Sequence, residues 1–128
     1  MAGTALDRET IDALDRTREI EMRTPRRDGS ISSRPTWVVV VDGEAYVRSY
    51  RGPGGAWYRR ALADRRVSVG FDGNTVDLAV EPVAGEEVNK RVSDAFRAKY
   101  GDRSPTPTEA MVAPEVRATT LRLTRHTS

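Results

Sequence analysis

The chain of 128 residues carries 21 basic and 19 acidic side chains, which gives a formal net charge of +2. This length fits one domain with its own core, so we expect a single domain over residues 1–128, with frayed ends at 1–5 and 126–128. Cysteine is absent, which excludes disulfides and thiolate metal sites. The longest apolar run, residues 37–41, is too short to cross a membrane, and no signal-peptide pattern opens the chain. We therefore expect a cytoplasmic protein with no membrane partner.

The positive charge is concentrated in the middle of the chain. Residues 23–66 contain ten arginines and four acidic residues, so this segment carries +6 and the remainder of the chain −4. Proteins that bind nucleic acid usually show a more basic surface over the whole domain. The uneven charge therefore favours a local site for a small anion, and no nucleic-acid partner is expected.

The first third of the chain predicts a helix, a strand and a turn. Asp7 is a suitable N-cap for a helix that ends near Arg16, because its carboxylate can accept hydrogen bonds from the first backbone N–H groups. Charged and apolar residues alternate over residues 18–24, which is typical of a half-buried strand. Residues 26–34, rich in arginine and serine around one glycine, then predict a basic turn.

Two β-hairpins are predicted, each around an Asp-Gly pair, because such pairs accept the positive φ values of two-residue turns. The first hairpin joins strands 37–41 and 45–50 through Asp42-Gly43, and the second joins strands 67–71 and 75–83 through Asp72-Gly73. The uninterrupted apolar run indicates that its strand is covered on both faces, by a helix or by a second subunit.

A glycine-rich loop at residues 52–55 leads into a predicted helix over residues 56–63. Glycines let a backbone approach a ligand closely, and the start of the helix presents unpaired N–H groups and the positive end of its dipole. This combination is a common way to hold phosphate or another anion. A surface turn without a ligand is the alternative interpretation.

The last third of the chain predicts a long helix and a final strand. Apolar residues recur at helical spacing between Gly85 and Tyr100, which indicates an amphipathic helix whose stripe packs in the core. Residues 102–108 contain two prolines and predict a loop, residues 109–112 a short helical turn, and residues 116–125 the last strand. Six strands with few helices favour an α+β fold, a small and mostly antiparallel barrel.

Three of these segments could converge on one site: the basic turn, the glycine-rich loop with its helix, and the strand that carries Arg48 and Tyr50. Arginine suits phosphate and carboxylate oxygens because its planar guanidinium donates two parallel hydrogen bonds. Solvated surface is the alternative for the arginines, and core packing is the alternative for Trp57 and Tyr58. A tyrosine hydroxyl serves as a hydrogen-bond donor, so Tyr50 and Tyr58 are the candidate catalytic residues.

Other reaction types have little support in this sequence. The single histidine, His126, is the third residue from the C-terminal end, and cysteine is absent. No Ser-His-Asp set and no cluster of metal-ligating residues can be assembled, so hydrolysis and metal catalysis are not expected.

One segment resembles a known family, and it reads Ala56-Trp57-Tyr58-x-x-x-Leu62-Ala63-Asp64-x-x-Val67-x-Val69. It resembles the Trp-Tyr segment of the deazaflavin-dependent nitroreductases and quinone reductases, and Arg27-x-Gly29 with Arg34-Pro35 is similar to their basic turn. The resemblance implies a six-stranded antiparallel split β-barrel related to the pyridoxamine-phosphate-oxidase superfamily. It also implies a homodimer, with the ligand in the cleft between the subunits.

The resemblance implies phosphate contacts at Arg27, Gly29 and Arg34, and backbone contacts at the start of the Trp-Tyr helix. The arginines at 59 and 60 stand where the family commonly has His-Asn, and they would add positive charge. The residues marked for cofactor binding by the pattern and the resemblance are Arg27, Gly29, Arg34, Arg48, Gly54, Gly55, Ala56, Trp57, Arg59 and Arg60.

Two functions follow from these expectations. The first is an oxidoreductase that binds FMN or 8-hydroxy-5-deazaflavin (coenzyme F-420) and transfers hydride to a small organic substrate, such as a quinone or a nitro compound. The second is a protein of the same fold without a redox cofactor, either an enzyme or a binding module for an anionic small molecule. The change from His-Asn to Arg59-Arg60 favours the second function.

Overall fold

A computed structural model describes residues 6–125. The predicted frayed ends and His126 lie outside these residues. The strands are β1 (Ile20–Pro25), β2 (Ile31–Thr36), β3 (Val39–Val41), β4 (Glu44–Val47), β5 (Arg66–Phe71), β6 (Asn74–Pro82) and β7 (Leu121–Arg125). The helices are α1 (Arg8–Arg16), α2 (Ala56–Asp64), α3 (Glu86–Tyr100), α4 (Pro105–Met111) and α5 (Pro114–Arg117), with a 3-10 helix at Gly52–Gly54.

Within the described residues, the strands form one curled antiparallel sheet in the order β2-β1-β5-β6-β7-β4-β3. Its two end strands do not pair, so the predicted barrel is an open half-barrel of seven strands, and the prediction of six strands was wrong. The additional strand is β2, which pairs with β1 from Ile20↔Thr36 to Pro25↔Ile31. The polar sequence of β2 lacks the alternation of apolar residues that predicts a strand. Pro35 is tolerated because β2 lies at the sheet edge.

Both predicted hairpins are confirmed, although the first has shorter strands. Asp42 and Gly43 have φ of 50° and 77°, and Asp72 and Gly73 have φ of 52° and 75°, which is the conformation of a type I′ turn. Strand β4 ends at Val47. The prediction that Arg48 and Tyr50 lie on this strand was therefore wrong, and both residues lie in the connection to the 3-10 helix.

Two apolar clusters hold the sheet from opposite sides. One lies between α1, α2 and one sheet face, and it includes Leu14, Met22 and Val69. The other lies between α3 and the outer face of β3 and β4, and it includes Val39 and Phe96. The valine-rich strand is thus covered on both faces, as predicted, and its outer cover is the chain's own helix α3.

The helical predictions hold well up to residue 100. The Asp7 carboxylate accepts a hydrogen bond from the Thr10 N–H at 2.8 Å and caps α1, and α3 spans Glu86–Tyr100 as its stripe predicted. After α3, the predicted loop is occupied in part by α4, and β7 begins at Leu121 because α5 precedes it. Both short helices begin with proline, which is favoured at the first helical position. None of the helices in residues 6–125 is long and apolar enough to span a membrane.

Candidate functional site

A cavity of about 770 Å³ opens where the start of α2, the segment after β4, the β2–β3 connection and α4 meet. Its lining residues include these predicted site residues: Arg34, Arg48, Tyr50, Gly54, Gly55, Ala56 and Trp57. The structure therefore brings together the glycine-rich loop, Arg34 and the segment after β4, as the sequence predicted.

The start of α2 forms one wall of this cavity. Gly55 is the N-cap of the nine-residue helix and supplies no side-chain hydrogen bond. The Arg59 N–H donates to the Gly55 carbonyl at 3.1 Å, so the N–H groups of the three preceding residues have no acceptor inside the helix. Two of these residues, Ala56 and Trp57, line the cavity. An anion placed here would accept these hydrogen bonds and meet the positive end of the helix dipole.

Ser49 fixes the glycine-rich loop. Its hydroxyl donates to the Gly52 carbonyl at 2.8 Å, and the Gly52 and Gly55 N–H groups close two turns onto the Ser49 and Gly52 carbonyls. The Ser49 N–H donates to Thr119 Oγ1 at 2.8 Å, which ties the loop to the segment before β7. Gly52 has φ of +76°, and a Cβ on Gly55 would collide with Ser49 Oγ. These two glycines are therefore required by the loop geometry.

Two exposed arginines face the cavity without a partner among residues 6–125. Arg34 lies on β2, where it pairs with Met22, and Arg51 is the N-cap of the 3-10 helix. Neither guanidinium takes part in an ion pair or a side-chain hydrogen bond within those residues. The one carboxylate among the lining residues belongs to Glu19. The cavity is therefore electropositive, which suits an anionic ligand.

Arg48 does not fit the predicted role in phosphate binding, because its donors are already used. It is 1% exposed, and its guanidinium donates to Thr120 Oγ1, Ser93 Oγ and the Met111 carbonyl at 2.9, 2.9 and 3.0 Å, and to both oxygens of Asn89. Burial lowers the pKa of Arg48 to about 10, with a smaller contribution from the Arg117 charge.

This residue therefore supports the cavity from behind. Its five N–H groups hold α3, α4 and the segment before β7 together, and none remains for a ligand. The acceptors are neutral, so the Arg48 charge still adds to the positive potential of the cavity.

The aromatic residues divide between the cavity and the core. Tyr50 is 58% exposed at the cavity, whereas the Tyr58 side chain is buried in the core and packs edge-on against Trp57, with ring centroids 6.2 Å apart. Core packing, the alternative stated for Tyr58, therefore describes its environment. Trp37, which the sequence analysis assigned only to a sheet wall, lines the cavity and stacks on Tyr100.

Four other predicted residues lie outside the cavity lining. Arg27 and Gly29 are in the exposed turn between β1 and β2, which covers residues 26–30 and not 26–34 as predicted. Arg59 is exposed on α2, and the Arg60 guanidinium donates to Thr24 Oγ1 at 3.4 Å. Arg51 was missed, although its position directly before the glycine-rich loop was a usable signal.

Solved structures of several proteins share this fold. HutZ, the heme storage protein from Vibrio cholerae, is 12% identical with a TM-score of 0.67, over 98% of this chain and 93% of HutZ. An F420-H2 dependent reductase (FDR-A) is 17% identical with a TM-score of 0.60, over 95% of this chain and 99% of the reductase. A FAD-binding protein (mll6688) from Mesorhizobium loti is 20% identical with a TM-score of 0.57, over 99% and 95%.

At these identities the likeness establishes the fold, which is that of the split-barrel flavin-binding proteins. The resemblance to deazaflavin-dependent reductases is supported at this level only, without a particular branch. No curated protein sequence matches the chain. Residues 10–123 match the family described as "Uncharacterized protein conserved in bacteria (DUF2255)", and the chain belongs to this family.

Proposed function

We propose that this protein is a flavin- or deazaflavin-dependent oxidoreductase that reduces a small organic substrate, such as a quinone or a nitro compound. The observation that carries the proposal is the electropositive cavity, in which an uncapped helix N-terminus converges with two arginines that have no partner among residues 6–125. The fold adds support, because similar structures include an F420-H2 dependent reductase and a FAD-binding protein.

The residues of the cavity fit such a cofactor. Its volume of about 770 Å³ lies within the usual range of ligand sites, roughly 300–1,000 Å³. The free N–H groups of Ala56 and Trp57 would donate hydrogen bonds to the phosphate of FMN or of the deazaflavin, and Arg34 and Arg51 would add charged hydrogen bonds. Aromatic side chains in the lining suit a planar ring.

The chain itself would bind, orient and shield the reactants. The bound cofactor supplies the hydride chemistry. Tyr50 would donate a hydrogen bond to a substrate oxygen, and its exposure at the cavity supports this role. Pro107 and Met111 of α4 form an apolar part of the lining that would exclude water. Tyr58 has no such position, since its ring packs in the core.

A second candidate function is a cofactor-free protein that binds an anionic small molecule or acts on one. The cavity charge favours this function equally, because it requires an anion and no ring. The presence of Arg59 and Arg60 where the resembled family commonly has His-Asn also favours this function.

The test is an absorbance spectrum of the protein purified from a host that makes the deazaflavin, followed by titration with FMN and with the deazaflavin. A bound chromophore, or saturable binding of either cofactor, supports the oxidoreductase. A colourless protein that binds neither cofactor but binds inorganic phosphate contradicts it and favours the cofactor-free function.

We also propose that the protein is a homodimer with the cavity at the interface between subunits. The support is the openness of the site, where Tyr50 is 58% exposed at the cavity, so that a second copy would complete the enclosure. Light scattering at micromolar concentration should give the mass of a dimer, and the mass of a monomer would contradict this proposal.

A further inference from the structure

Trp37 occupies an unusual position between β2 and β3. It lines the cavity, and one face of its ring is covered by Tyr100, with ring centroids 4.0 Å apart and the planes inclined by 1°. Tyr100 is fully buried and does not line the cavity. What Trp37 offers to the cavity is therefore its opposite face and its edges.

The orientation of the Trp37 ring is fixed through Tyr100. The Tyr100 hydroxyl donates to the Arg18 carbonyl at 2.6 Å and accepts from the Val38 N–H at 3.2 Å. The Arg18 guanidinium and the Lys99 ammonium lie 5.2 and 5.4 Å from the centre of the Tyr100 ring, within the range of cation–π attraction. A ring held in this way can bind a planar ligand without losing much conformational freedom.

We propose that Trp37 is the stacking platform for the planar ring of the ligand. The inference rests on the proposed function and deepens it, because it sets the direction in which the ligand lies. The phosphate would be at the start of α2, beside Gly55 and Ala56, and the ring would lie over the face of Trp37. Aromatic stacking of this kind strengthens binding substantially.

The second tryptophan is less suitable as a platform. Trp57 is 9% exposed, and its ring is packed edge-on by Tyr58 in the core. Its backbone N–H serves the proposed phosphate site in either case. The chain has two tryptophans, and both line the cavity. Replacing them one at a time therefore shows which indole stacks on the ligand.

The experiment compares the wild-type protein with the variants Trp37→Leu, Trp37→Phe and Trp57→Phe, using FMN, riboflavin and the deazaflavin as probes. Riboflavin carries the same ring as FMN without its phosphate. The emission of a flavin is quenched when an indole stacks on it, because electron transfer from the indole requires contact. We expect the emission of bound flavin to be quenched in the wild type and in Trp57→Phe, and to recover in Trp37→Leu.

The affinities should follow the same order. Trp37→Leu should weaken binding of both FMN and riboflavin by about tenfold, and Trp37→Phe should recover part of that loss. A ligand that binds Trp37→Leu as tightly as the wild type, with its emission still quenched, overturns the stacking role and leaves the proposed function standing. Failure of the wild type to bind FMN, riboflavin and the deazaflavin overturns both.

A structural role of Trp37 in supporting Tyr100 would give a different result. It would lower the melting temperature of Trp37→Leu and leave the emission of any bound flavin quenched, and that outcome overturns the inference. Should Trp37→Leu fail to fold, Trp37→Phe decides, since it keeps a ring on Tyr100. Unchanged quenching and unchanged affinity in Trp37→Phe and in a Trp37→Met variant would then count against stacking.

Discussion

The chain contains two basic segments with glycine, and they differ in what their hydrogen-bond donors do. In the turn at residues 26–30, the donors of Arg26, Gly29 and Ser30 are used within the turn and the start of β2. The Asp28 carboxylate accepts from the N–H and the hydroxyl of Ser30 at 2.9 and 2.6 Å, and these bonds lower the pKa of Asp28. The Arg26 guanidinium donates to Ser30 Oγ at 3.2 Å, and the Gly29 N–H donates to the Arg26 carbonyl.

The glycine-rich loop uses some donors to hold its shape and leaves others free. Ser49, Gly52 and Gly55 bond among themselves, whereas the first N–H groups of α2 have no acceptor in the helix. Both segments have the composition of an anion site, and one of them has donors available inside a cavity. Arginine and glycine content marks both loops as candidates, and the glycine-rich loop is the one that we propose as the anion site because its free donors lie inside the cavity.

The largest effect should follow from replacing a cation whose donors are all used. Arg48→Ala leaves acceptors on α3, α4 and the segment before β7 without partners, and it opens a void in the protein. We expect a loss of stability of roughly 3–5 kcal/mol, measured by chemical denaturation. Arg27→Ala, in the exposed turn, is the control and should change stability by less than about 0.5 kcal/mol. A loss of similar size in both variants would contradict the supporting role of Arg48.

The next prediction compares substitutions of Gly55 in the glycine-rich loop and Gly29 in the turn. Gly55→Ala places a Cβ against Ser49 Oγ. The Ser49 hydroxyl must then leave the Gly52 carbonyl or the loop must shift, and we expect weaker binding of phosphate ligands. Gly29→Ala meets no atom within 4 Å, although φ is +89°, so it should cost about 1 kcal/mol of stability and leave binding unchanged. Thermal unfolding and calorimetric titration with FMN measure both quantities. Full affinity in Gly55→Ala would remove the loop from the site.

The fold could be predicted in large part because its signals are local. Asp-Gly pairs, the N-cap at Asp7 and the stripe of α3 each depend on residues close in sequence. Strand β2 was missed because Ser32, Ser33 and Pro35 at an edge carry no apolar alternation. Helices α4 and α5 begin at Pro105 and Pro114, whereas the prolines within residues 102–108 had been interpreted as signs of a loop.

The site was predicted in its segments and less well in its side chains. The predicted convergence of the glycine-rich loop, Arg34 and Tyr50 is found in the cavity. Strands β2 and β4 lie near opposite ends of the sheet order, and the curl of the sheet brings these residues together. The use of each donor depends on distant partners, such as Thr120 for Arg48 and Tyr100 for Trp37. Such contacts span more than 60 residues in sequence, and no local pattern reports them.

A smaller effect is expected from the arginines that line the cavity. Arg34→Ala and Arg51→Ala should each weaken binding of FMN by about tenfold, because each removes a charged donor that has no other partner in residues 6–125. Arg27→Ala keeps the same net charge as these variants and removes an arginine outside the cavity, so it should retain the wild-type affinity. Calorimetry at one fixed salt concentration makes the comparison direct, and equal losses in all three variants would indicate nonspecific charge attraction only.

The smallest effect concerns Lys99, a second cation whose donors are used within the protein. Its ammonium donates to the Leu14 and Val38 carbonyls at 3.1 and 2.8 Å. Burial lowers the pKa of Lys99 to about 8, the nearby Asp15 carboxylate opposes this shift, and Arg18 adds to it. Burial also raises the pKa of Tyr100 to about 12.

Between pH 8 and 10, the unfolded chain keeps the proton on Lys99 while the folded chain releases it. Stability should therefore rise with pH in this window, by less than about 1.4 kcal/mol per pH unit because Lys99 is part-buried. Above pH 10 the Tyr100 hydroxyl ionises more readily in the unfolded chain, which lowers stability, and the lowered pKa of Arg48 acts in the opposite direction. The window from pH 8 to 10 thus isolates Lys99.

Melting temperatures measured over this window should rise in the wild type and stay flat in Lys99→Met. Saturating phosphate should raise both curves without changing the difference between their slopes, because Lys99 does not line the cavity. If phosphate changed the slope of melting temperature against pH in the wild type, Lys99 would be coupled to the ligand. That result would contradict the division between cations bonded within the protein and cations free to bind a ligand. A flat curve in the wild type would contradict the lowered pKa of Lys99, and it would show that solvent or the bonds to the Leu14 and Val38 carbonyls offset the burial of the ammonium.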